Sequence, residues 1–158
     1  MKAKLHESKP KDVYITYVRT TPKKLWQALT SPEFTRQYWY DTWQESEWKV
    51  GDTWKMVAPD GRIVNSGKII EIFPTRRLVL KWHHEFQPGH AEGYARMTYE
   101  IEKSGDSVKL SVIHEFDKPD SKFFKAISNG WPLRLSSLKS LLETGESLKE
   151  TRYWPKGM

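Results

Sequence analysis

Apolar and polar residues alternate along most of the chain between residues 53 and 117, in short runs separated by turn sequences. Alternation of this kind is typical of strands that bury one face, because successive side chains in a strand point to opposite sides. Pro59-Asp60-Gly61 and Ser104-Gly105-Asp106 have the composition of tight turns between such strands. We therefore predict strands at Val13–Val18, Thr53–Val57, Ile63–Phe73, Leu78–His84, Tyr94–Glu102 and Val108–Phe116.

Helix signals flank these strands. Thr21-Pro22 and Ser31-Pro32 each place a capping hydroxyl before a proline, which favours the first turn of a helix. Two short helices are therefore predicted after the first strand. The segment from Lys118 to Gly145 has the spacing of one long amphipathic helix. Its apolar stripe consists of Phe124, Trp131, Leu135, Leu138 and Leu142. This order of elements predicts an α+β fold in which the long helix covers a curved antiparallel sheet.

Composition indicates one domain with large aromatic residues in its core. A chain of 158 residues has the length of a single ordinary domain, and 13% of its residues are aromatic, with eight Trp. The absence of cysteine excludes disulfides, zinc–thiolate sites and thiol nucleophiles. We find no stretch of the length and apolarity of a membrane span or signal peptide, and expect a cytoplasmic protein without membrane insertion.

The formal charge of +6 lies mostly at the two ends of the chain. Residues 1–11 carry a net +3 and residues 149–158 a net +2, which leaves about +1 for the remainder. A nucleic-acid-binding domain normally concentrates its cations on one folded surface. We therefore expect no nucleic-acid partner, and interpret residues 1–11 as a basic flexible tail and residues 147–158 as a C-terminal tail.

Three phrases of the sequence resemble a known superfamily. These are Thr21–Glu33, Gly67–Trp82, and Gly130-Trp131 with the leucines that follow. They are similar to the START-like (SRPBCC) superfamily, or helix-grip fold, in the branch related to the activator of the heat-shock-protein-ninety ATPase. The resemblance covers residues 12–146, which we take as one START-like domain. It implies six to seven antiparallel strands curled around the long C-terminal helix, with a pocket between them for apolar compounds.

The inward strand faces and the long helix supply the residues expected to line that pocket. Broad aromatic, aliphatic and thioether side chains provide contact area there, and one or two polar groups orient a ligand. A fully packed core is the alternative. The candidate ligand-binding residues are Trp54, Met56, Leu80, Trp82, His84, Met97, Tyr99, Leu110, Val112, His114, Trp131 and Leu135.

The chemically active side chains do not form a recognisable catalytic or metal site. His83 and His84 are adjacent on a strand and point to opposite faces, so they cannot both ligate one ion, and neither His90 nor His114 completes a zinc set. His114 shares an apolar face, where a ligand or a core hydrogen bond can satisfy it. It forms an acid–base pair with Tyr99 only if the strands align. Glu100, Glu102 and Glu115 are taken as carboxylates on the solvated face.

Three functional hypotheses follow. The first is non-enzymatic binding of a small hydrophobic, aromatic or lipid-like molecule, without a cofactor or metal. The second is a protein-interaction module resembling the chaperone-ATPase activator, which uses the aromatic segment Tyr38–Trp48 and the basic tails. That segment is either an irregular loop or a short edge strand. The third is a cyclase or hydrolase that uses His114. The protein is expected to be a monomer or a homodimer.

Overall fold

The computed structural model describes residues 11–85, 93–116 and 122–155. Within them the chain forms one strand, two short helices, six further strands and a long helix, in the predicted order. The strands are β1 (Lys11–Val18), β2 (Trp43–Ser46), β3 (Thr53–Val57), β4 (Ile63–Phe73), β5 (Arg77–His84), β6 (Tyr94–Ser104) and β7 (Ser107–Phe116). The helices are α1 (Pro22–Thr30), α2 (Pro32–Tyr38) and α3 (Lys122–Thr144), and a single 3₁₀ turn covers Lys149–Thr151.

All seven strands form one antiparallel sheet in the order β1-β7-β6-β5-β4-β3-β2. From β2 to β7 each strand pairs with the next one along the chain, while β1 crosses over to pair with β7. The two helices α1 and α2 lie in the connection between β1 and β2. Helix α3 closes the layer, with Trp131, Leu135 and Leu138 buried. The predicted helix-grip architecture is therefore confirmed, and the aromatic segment contributes a short edge strand.

The sheet is irregular where it has to curve. The pairing register shifts between Met56 and Val57, and again between Ile69 and Glu71. Such bulges increase local twist and bend the strand that contains them. Gly67 lies between these irregularities, where β4 approaches β5 closely. A Cβ atom at this position would lie 1.6 Å from the carbonyl oxygen of Lys81, so no residue with a side chain fits the backbone here.

The predicted capping hydroxyl is used at the start of α1 but not of α2, where the Ser31 side chain makes no capping hydrogen bond and Pro32 alone marks the first turn. The Thr21 hydroxyl accepts a hydrogen bond from the backbone N–H of Lys24, and Pro22 occupies the first turn. The Tyr38 hydroxyl at the end of α2 donates to the carbonyl of Ala28 at 2.7 Å, and this bond is buried. The pair therefore packs as one unit on the core.

The segment from residue 147 corrects the expectation of a C-terminal tail, as far as residue 155. Thr151 is fully buried, and its hydroxyl oxygen lies 2.7 Å from that of Ser137 on α3. Its carbonyl accepts a 2.6 Å hydrogen bond from the backbone N–H of Tyr40. Residues 147–155 therefore connect α3 to the end of α2. The basic residues 1–10 and 156–158 lie outside the described part of the chain.

The outer face of the sheet is less solvated than the alternation predicts. Val79 and Thr98 point outward, opposite each other in the β5–β6 pair, yet 0% and 3% of their surface is exposed. Long charged side chains surround them and cover apolar surface with their alkyl stems. These side chains form an ion-pair network of Glu71, Arg77, Arg96, Glu100 and Glu115. Glu100 and Glu115 therefore lie on the outer face, as expected.

Candidate functional site

The side chains predicted to line a pocket lie together between the sheet and α3. All but one of them are buried, with exposed fractions of 6% or less. His84 is the exception, because it is half-buried near the end of β5. The buried members are Trp54, Met56, Leu80, Trp82, Met97, Tyr99, Leu110, Val112, His114, Trp131 and Leu135. Their assignment as ligand contacts remains a prediction.

Five indole and phenol rings form a chain of contacts at the centre of this layer. Trp82 lies 4.7 Å from Trp54 and 5.7 Å from Trp39, between ring centroids. Trp39 in turn meets Trp131 edge-on at 5.1 Å, and Trp131 lies 6.2 Å from Tyr99. Rings from β3, β5, β6 and α3, together with Trp39 just after α2, thus form one continuous aromatic cluster. Aromatic pairs at these separations add stabilisation beyond the apolar area that they bury.

Gly67 makes the central pair of this cluster geometrically feasible. It lies directly between Trp54 on β3 and Trp82 on β5 in the cross-strand pairing. Because it has no side chain, the two flanking indoles meet across it. The glycine at the close approach of β4 and β5 therefore also lies between the two tryptophans in the pairing.

The aromatic segment Tyr38–Trp48 does not present its rings as an exposed contact surface. Only 2% of Tyr38 and 7% of Trp39 is exposed, and both belong to the core. Trp43 and Trp48 are half-buried. The hypothesis of an exposed aromatic surface therefore fails for Tyr38 and Trp39, whereas Tyr40, Trp43 and Trp48 are partly accessible. The polar residues between the rings suggested a loop, but the first two rings point into the core.

Arg134 is a buried cation that the sequence-based assignment missed. Its exposed fraction is 7%, and its guanidinium carbon lies 4.7 Å from the ring centroid of Trp39 and 5.1 Å from that of Trp131. Ring faces attract a cation, most strongly where water is excluded. Arg134 occupies the apolar stripe of α3, three residues after Trp131 and four before Leu138. A charged residue at such a position was the signal that could have revealed it.

Gly130 provides the space for this guanidinium. In a helix the side chain of a residue leans toward the residue four positions earlier. A Cβ atom at Gly130 would lie 2.7 Å from Nη1 of Arg134, which is too close for ordinary contact. Glycine inside a helix costs about 0.5–1 kcal/mol relative to alanine. The helix therefore has glycine at residue 130, which is less favourable than alanine, and this glycine leaves room for the buried charge of Arg134.

The surroundings of Arg134 are rich in hydroxyl and imidazole groups but contain no carboxylate partner among the described residues. Burial lowers the pKa of the guanidinium, and a hydrogen bond with Tyr40 together with the nearby Tyr99 opposes this change. Arginine stays protonated in proteins under ordinary conditions. A net positive charge therefore remains in the layer between the sheet and α3.

Two N–H groups in this region lack an acceptor within the described part of the chain. They are Nε1 of Trp131 and Nε of Arg134, both inaccessible to solvent. The large majority of buried side-chain polar atoms in native proteins have a hydrogen-bond partner, and an unmatched one costs about 1–3 kcal/mol. These two groups share one location, because the guanidinium lies against the Trp131 ring. The interior therefore contains unused donor capacity beside a cation.

His114 and Tyr99 do not face each other directly across the sheet, as an aligned acid–base pair would. His114 lies opposite Met97 in the β6–β7 pairing and Tyr99 lies opposite Val112, so the two side chains are diagonal neighbours. Burial lowers the pKa of His114 to about 4, with opposition from Asp12 and reinforcement from Arg134. Burial also raises the pKa of the Tyr99 hydroxyl well above its ordinary value. Near neutral pH the imidazole is therefore uncharged, and the phenol retains its proton.

Neither a metal centre nor a spanning helix is found in the residues that the structure describes. No group of three His, Asp or Glu side chains is placed to hold an ion there. His83 and His84 point to opposite sides of β5, and Nδ1 of His83 lies 3.1 Å from the carbonyl of Gly93. His90 lies outside the described ranges. Over the same ranges no helix combines the length and apolarity needed to cross a membrane.

The outer face of the sheet carries a row of cations. Lys68 pairs with Lys81, and Lys81 pairs with Arg96, so three positive side chains occupy facing positions on β4, β5 and β6. Like charges directly opposite each other destabilise a sheet. Arg96 is compensated by Glu71 and Glu115. A depression of about 390 Å³ beside Lys68 and Lys81 is bordered by Lys55 and the exposed ring of Tyr94.

Comparison with known structures places the fold among helix-grip proteins. Protein MLL2253 from Mesorhizobium loti is 20% identical, with 84% of this chain and 96% of that chain covered and a TM-score of 0.72. The Aha1 dimer from Colwellia psychrerythraea is 20% identical, with 87% and 99% covered and a TM-score of 0.71. CalU16 from Micromonospora echinospora is 16% identical, with 85% and 77% covered and a TM-score of 0.68. Likeness at these identities establishes the fold.

The sequence itself identifies the family. Among proteins of curated function, no sequence matches this chain. The family described as "Activator of Hsp90 ATPase homolog 1-like protein" matches residues 19–143, from the end of β1 to the end of α3. The chain therefore belongs to the family of activator of Hsp90 ATPase homolog 1-like proteins.

Proposed function

We propose that this protein binds a small aromatic or apolar molecule in the layer between the sheet and α3, without catalysing a reaction on it. The observation that supports this function is the pair of buried N–H groups on Trp131 and Arg134 without an acceptor in the described chain. In a fully packed core, buried N–H groups normally have hydrogen-bond acceptors. A ligand that accepts a hydrogen bond inside the aromatic cluster would satisfy them and would bury its own apolar surface against the rings.

The lining is suited to rearrangement around a guest molecule. The rings of the described residues contact each other in the free protein, so a ligand enters this layer only if some of them move. Met56 and Met97 are fully enclosed in it, and methionine adapts to new shapes because its side chain is unbranched and polarizable. A protein that opens for its ligand binds with an affinity reduced by the opening equilibrium.

A binding role without catalysis is favoured by the state of the polar groups. Near neutral pH His114 is uncharged and Tyr99 is protonated, and they are not directly opposite each other. A general acid–base pair needs proton affinities near the working pH and a position beside the reacting atom. The same two groups serve well as orienting hydrogen-bond partners for a ligand. We therefore rank the cyclase or hydrolase hypothesis below binding.

Thermal stability measured with a panel of neutral ligands tests this function. The panel includes N-phenyl-1-naphthylamine, acyl-chain alcohols and flat polycyclic phenols. A ligand at one hundred times its Kd stabilises the native state by about 2.7 kcal/mol, which raises Tm by roughly 5–10 °C for a domain of this size. Quenching of tryptophan fluorescence reports contact with the cluster. If every member of the panel leaves Tm and fluorescence unchanged, small-molecule binding is rejected.

A second candidate function is contact with an acidic surface of a partner protein, such as a chaperone. The row of Lys68, Lys81 and Arg96 favours it, because Lys68 and Lys81 have no carboxylate partner among the described residues. A partner with acidic side chains relieves the repulsion and gains steering at low salt.

Charge reversal tests this second function. We expect the wild-type protein to stimulate the heat-shock-protein-ninety ATPase and the variant K68E/K81E to give no stimulation. The control K23E on α1 stimulates as the wild-type protein does. If the wild-type protein neither stimulates the ATPase nor co-purifies with the chaperone, the interaction is rejected. The outcome is independent of ligand binding in the interior, because the row lies on the opposite face of the sheet.

A further inference from the structure

We propose that the interior site selects ligands that carry an anionic group, with Arg134 as the residue that binds it. This inference rests on the proposed binding function and adds the chemical class of the ligand: a flat or chain-like apolar body with a carboxylate, sulfonate or phosphate at one end.

The first support is the isolation of the charge. Arg134 is more than nine-tenths buried, and no carboxylate in the described part of the chain pairs with it. Long side chains with a charge are almost never fully buried without a partner. The faces of Trp39 and Trp131 attract the guanidinium. The N–H group at Nε of Arg134 nevertheless has no hydrogen-bond acceptor in the described chain. The guanidinium is thus desolvated and only partly compensated.

The second support is the set of donors around it. Nε of Arg134 and Nε1 of Trp131 are buried without an acceptor in the described chain, and the two residues lie three positions apart on α3 with the guanidinium over the Trp131 ring. Arginine presents its N–H groups in a planar fork that matches the oxygens of a carboxylate or a phosphate. The hydroxyl groups of Tyr40 and Tyr99 both interact electrostatically with Arg134, and that of Tyr40 is also hydrogen-bonded to it. These donors together fit an anion better than a neutral acceptor.

The third support is Gly130, which leaves the guanidinium its place. An alanine here would put a methyl group 2.7 Å from Nη1 and move the charged end of the side chain. The guanidinium is the flexible end of a long side chain, so this shift changes its position while the helix is retained. Gly130 and Arg134 therefore act as one unit: the glycine positions the arginine, and the arginine contacts the ligand.

Two dyes that differ only in charge test the inference. 1-Anilinonaphthalene-8-sulfonate and N-phenyl-1-naphthylamine share one apolar framework, and only the first carries a sulfonate. We expect the wild-type protein to bind the sulfonate more tightly than the neutral dye. In R134Q the affinity for the sulfonate falls roughly 10- to 100-fold, the range of a charged hydrogen-bonded contact, while the neutral dye binds as before. The variant R76Q, which removes an exposed arginine, changes neither affinity.

The variant G130A gives a second measurement that does not depend on removing the charge. It weakens the sulfonate at least several-fold and leaves the neutral dye unaffected, because the guanidinium is displaced. If the neutral dye binds and R134Q binds both dyes as the wild-type protein does, the anionic preference is overturned and the proposed function stands. If neither dye binds the wild-type protein, the proposed function and this inference are overturned together.

Discussion

Trp54 and Trp131 belong to the same buried cluster, but only Trp54 has a hydrogen-bond acceptor for its indole N–H. Nε1 of Trp54 donates to the side-chain oxygen of Gln44 at 2.8 Å, whereas Nε1 of Trp131 has no acceptor among the described residues. Gln44 in turn donates to the carbonyl of Leu29 at 2.5 Å, which ties β2 to α1. The hydrogen-bonding groups of the cluster are therefore satisfied around Trp54, whereas those around Trp131 include N–H groups without an acceptor in the described chain.

The hydrogen bonds of Gln44 to Trp54 and Leu29 predict a large loss of stability in Q44L. The leucine fills similar space but leaves both Nε1 of Trp54 and the carbonyl of Leu29 without a partner in the interior. Each unmatched group costs about 1–3 kcal/mol, so we expect a loss of about 3 kcal/mol in the free energy of unfolding. Urea titration measures it. The control Q37L removes an exposed glutamine and costs under about 1 kcal/mol. Equal losses in the two variants would refute the importance of the buried pair.

Two glycine-to-alanine substitutions are predicted to differ sharply. In G67A the new methyl group meets the backbone oxygen of Lys81, which cannot move without breaking the β4–β5 pairing. We expect a loss of at least about 3 kcal/mol or failure to fold. In G130A the methyl group meets only the mobile end of Arg134, and alanine favours the helix. Chemical denaturation should show a change within about 1 kcal/mol. Comparable costs would contradict the close approach at Gly67.

Stability is predicted to fall on acidification through His114. Its pKa is about 4 in the native protein and ordinarily 6.5, so the unfolded chain binds a proton first. The stabilisation that comes from the lowered pKa of His114 is fully present above about pH 6.5. It is lost progressively as the pH falls toward 4, and the total loss is about 3 kcal/mol in the free energy of unfolding. We expect H114Q to show a smaller decline over this window. The variant H83Q, on β5 and on the outer face of the sheet, serves as the control. Parallel pH profiles of H114Q and the wild-type protein would rule out this role.

The packed C-terminal segment predicts a different outcome for two truncations. Removal of residues 147–158 exposes the surface of α3 that Thr151 covers and deletes its hydrogen bonds to Ser137 and Tyr40. We expect Tm to fall by at least about 5 °C, since burial of even one such segment is worth a few kcal/mol. Removal of residues 156–158 alone is the control, and an equal fall in Tm in the two truncations would contradict the packing of residues 147–155. Differential scanning calorimetry distinguishes packing from a loose tail.

The sheet and its buried faces could be predicted because each strand contains a local pattern. Tyr94 to Glu102 alternates so regularly that Met97 and Tyr99 were assigned to the inner face correctly. Turn residues such as Gly105 marked the strand ends. The long helix was likewise visible from the spacing of Trp131, Leu135 and Leu138. These features depend on residues that are close in sequence.

The polar part of the site could not be predicted, because it depends on contacts between distant elements. Arg134 was assigned to no face, although its spacing from Trp131 places it on the apolar stripe. Trp39 belongs to the cluster only because α2 turns its end toward α3. The register that separates His114 from Tyr99 is likewise set by pairing of β6 with β7. Sequence gives side-chain direction within an element but not the neighbours across elements.

Binding in the interior is tested most directly by the indole N–H resonance of Trp131 in a nitrogen-15 NMR titration. The variant W131F identifies that resonance by its loss, and the resonance of Trp43, whose N–H is bonded to Glu45, serves as the internal control. Titration with the neutral and sulfonated naphthylamine dyes should shift the Trp131 signal and leave that of Trp43 in place. A Trp131 resonance that stays fixed while both dyes are present in excess would contradict a ligand site between the sheet and α3.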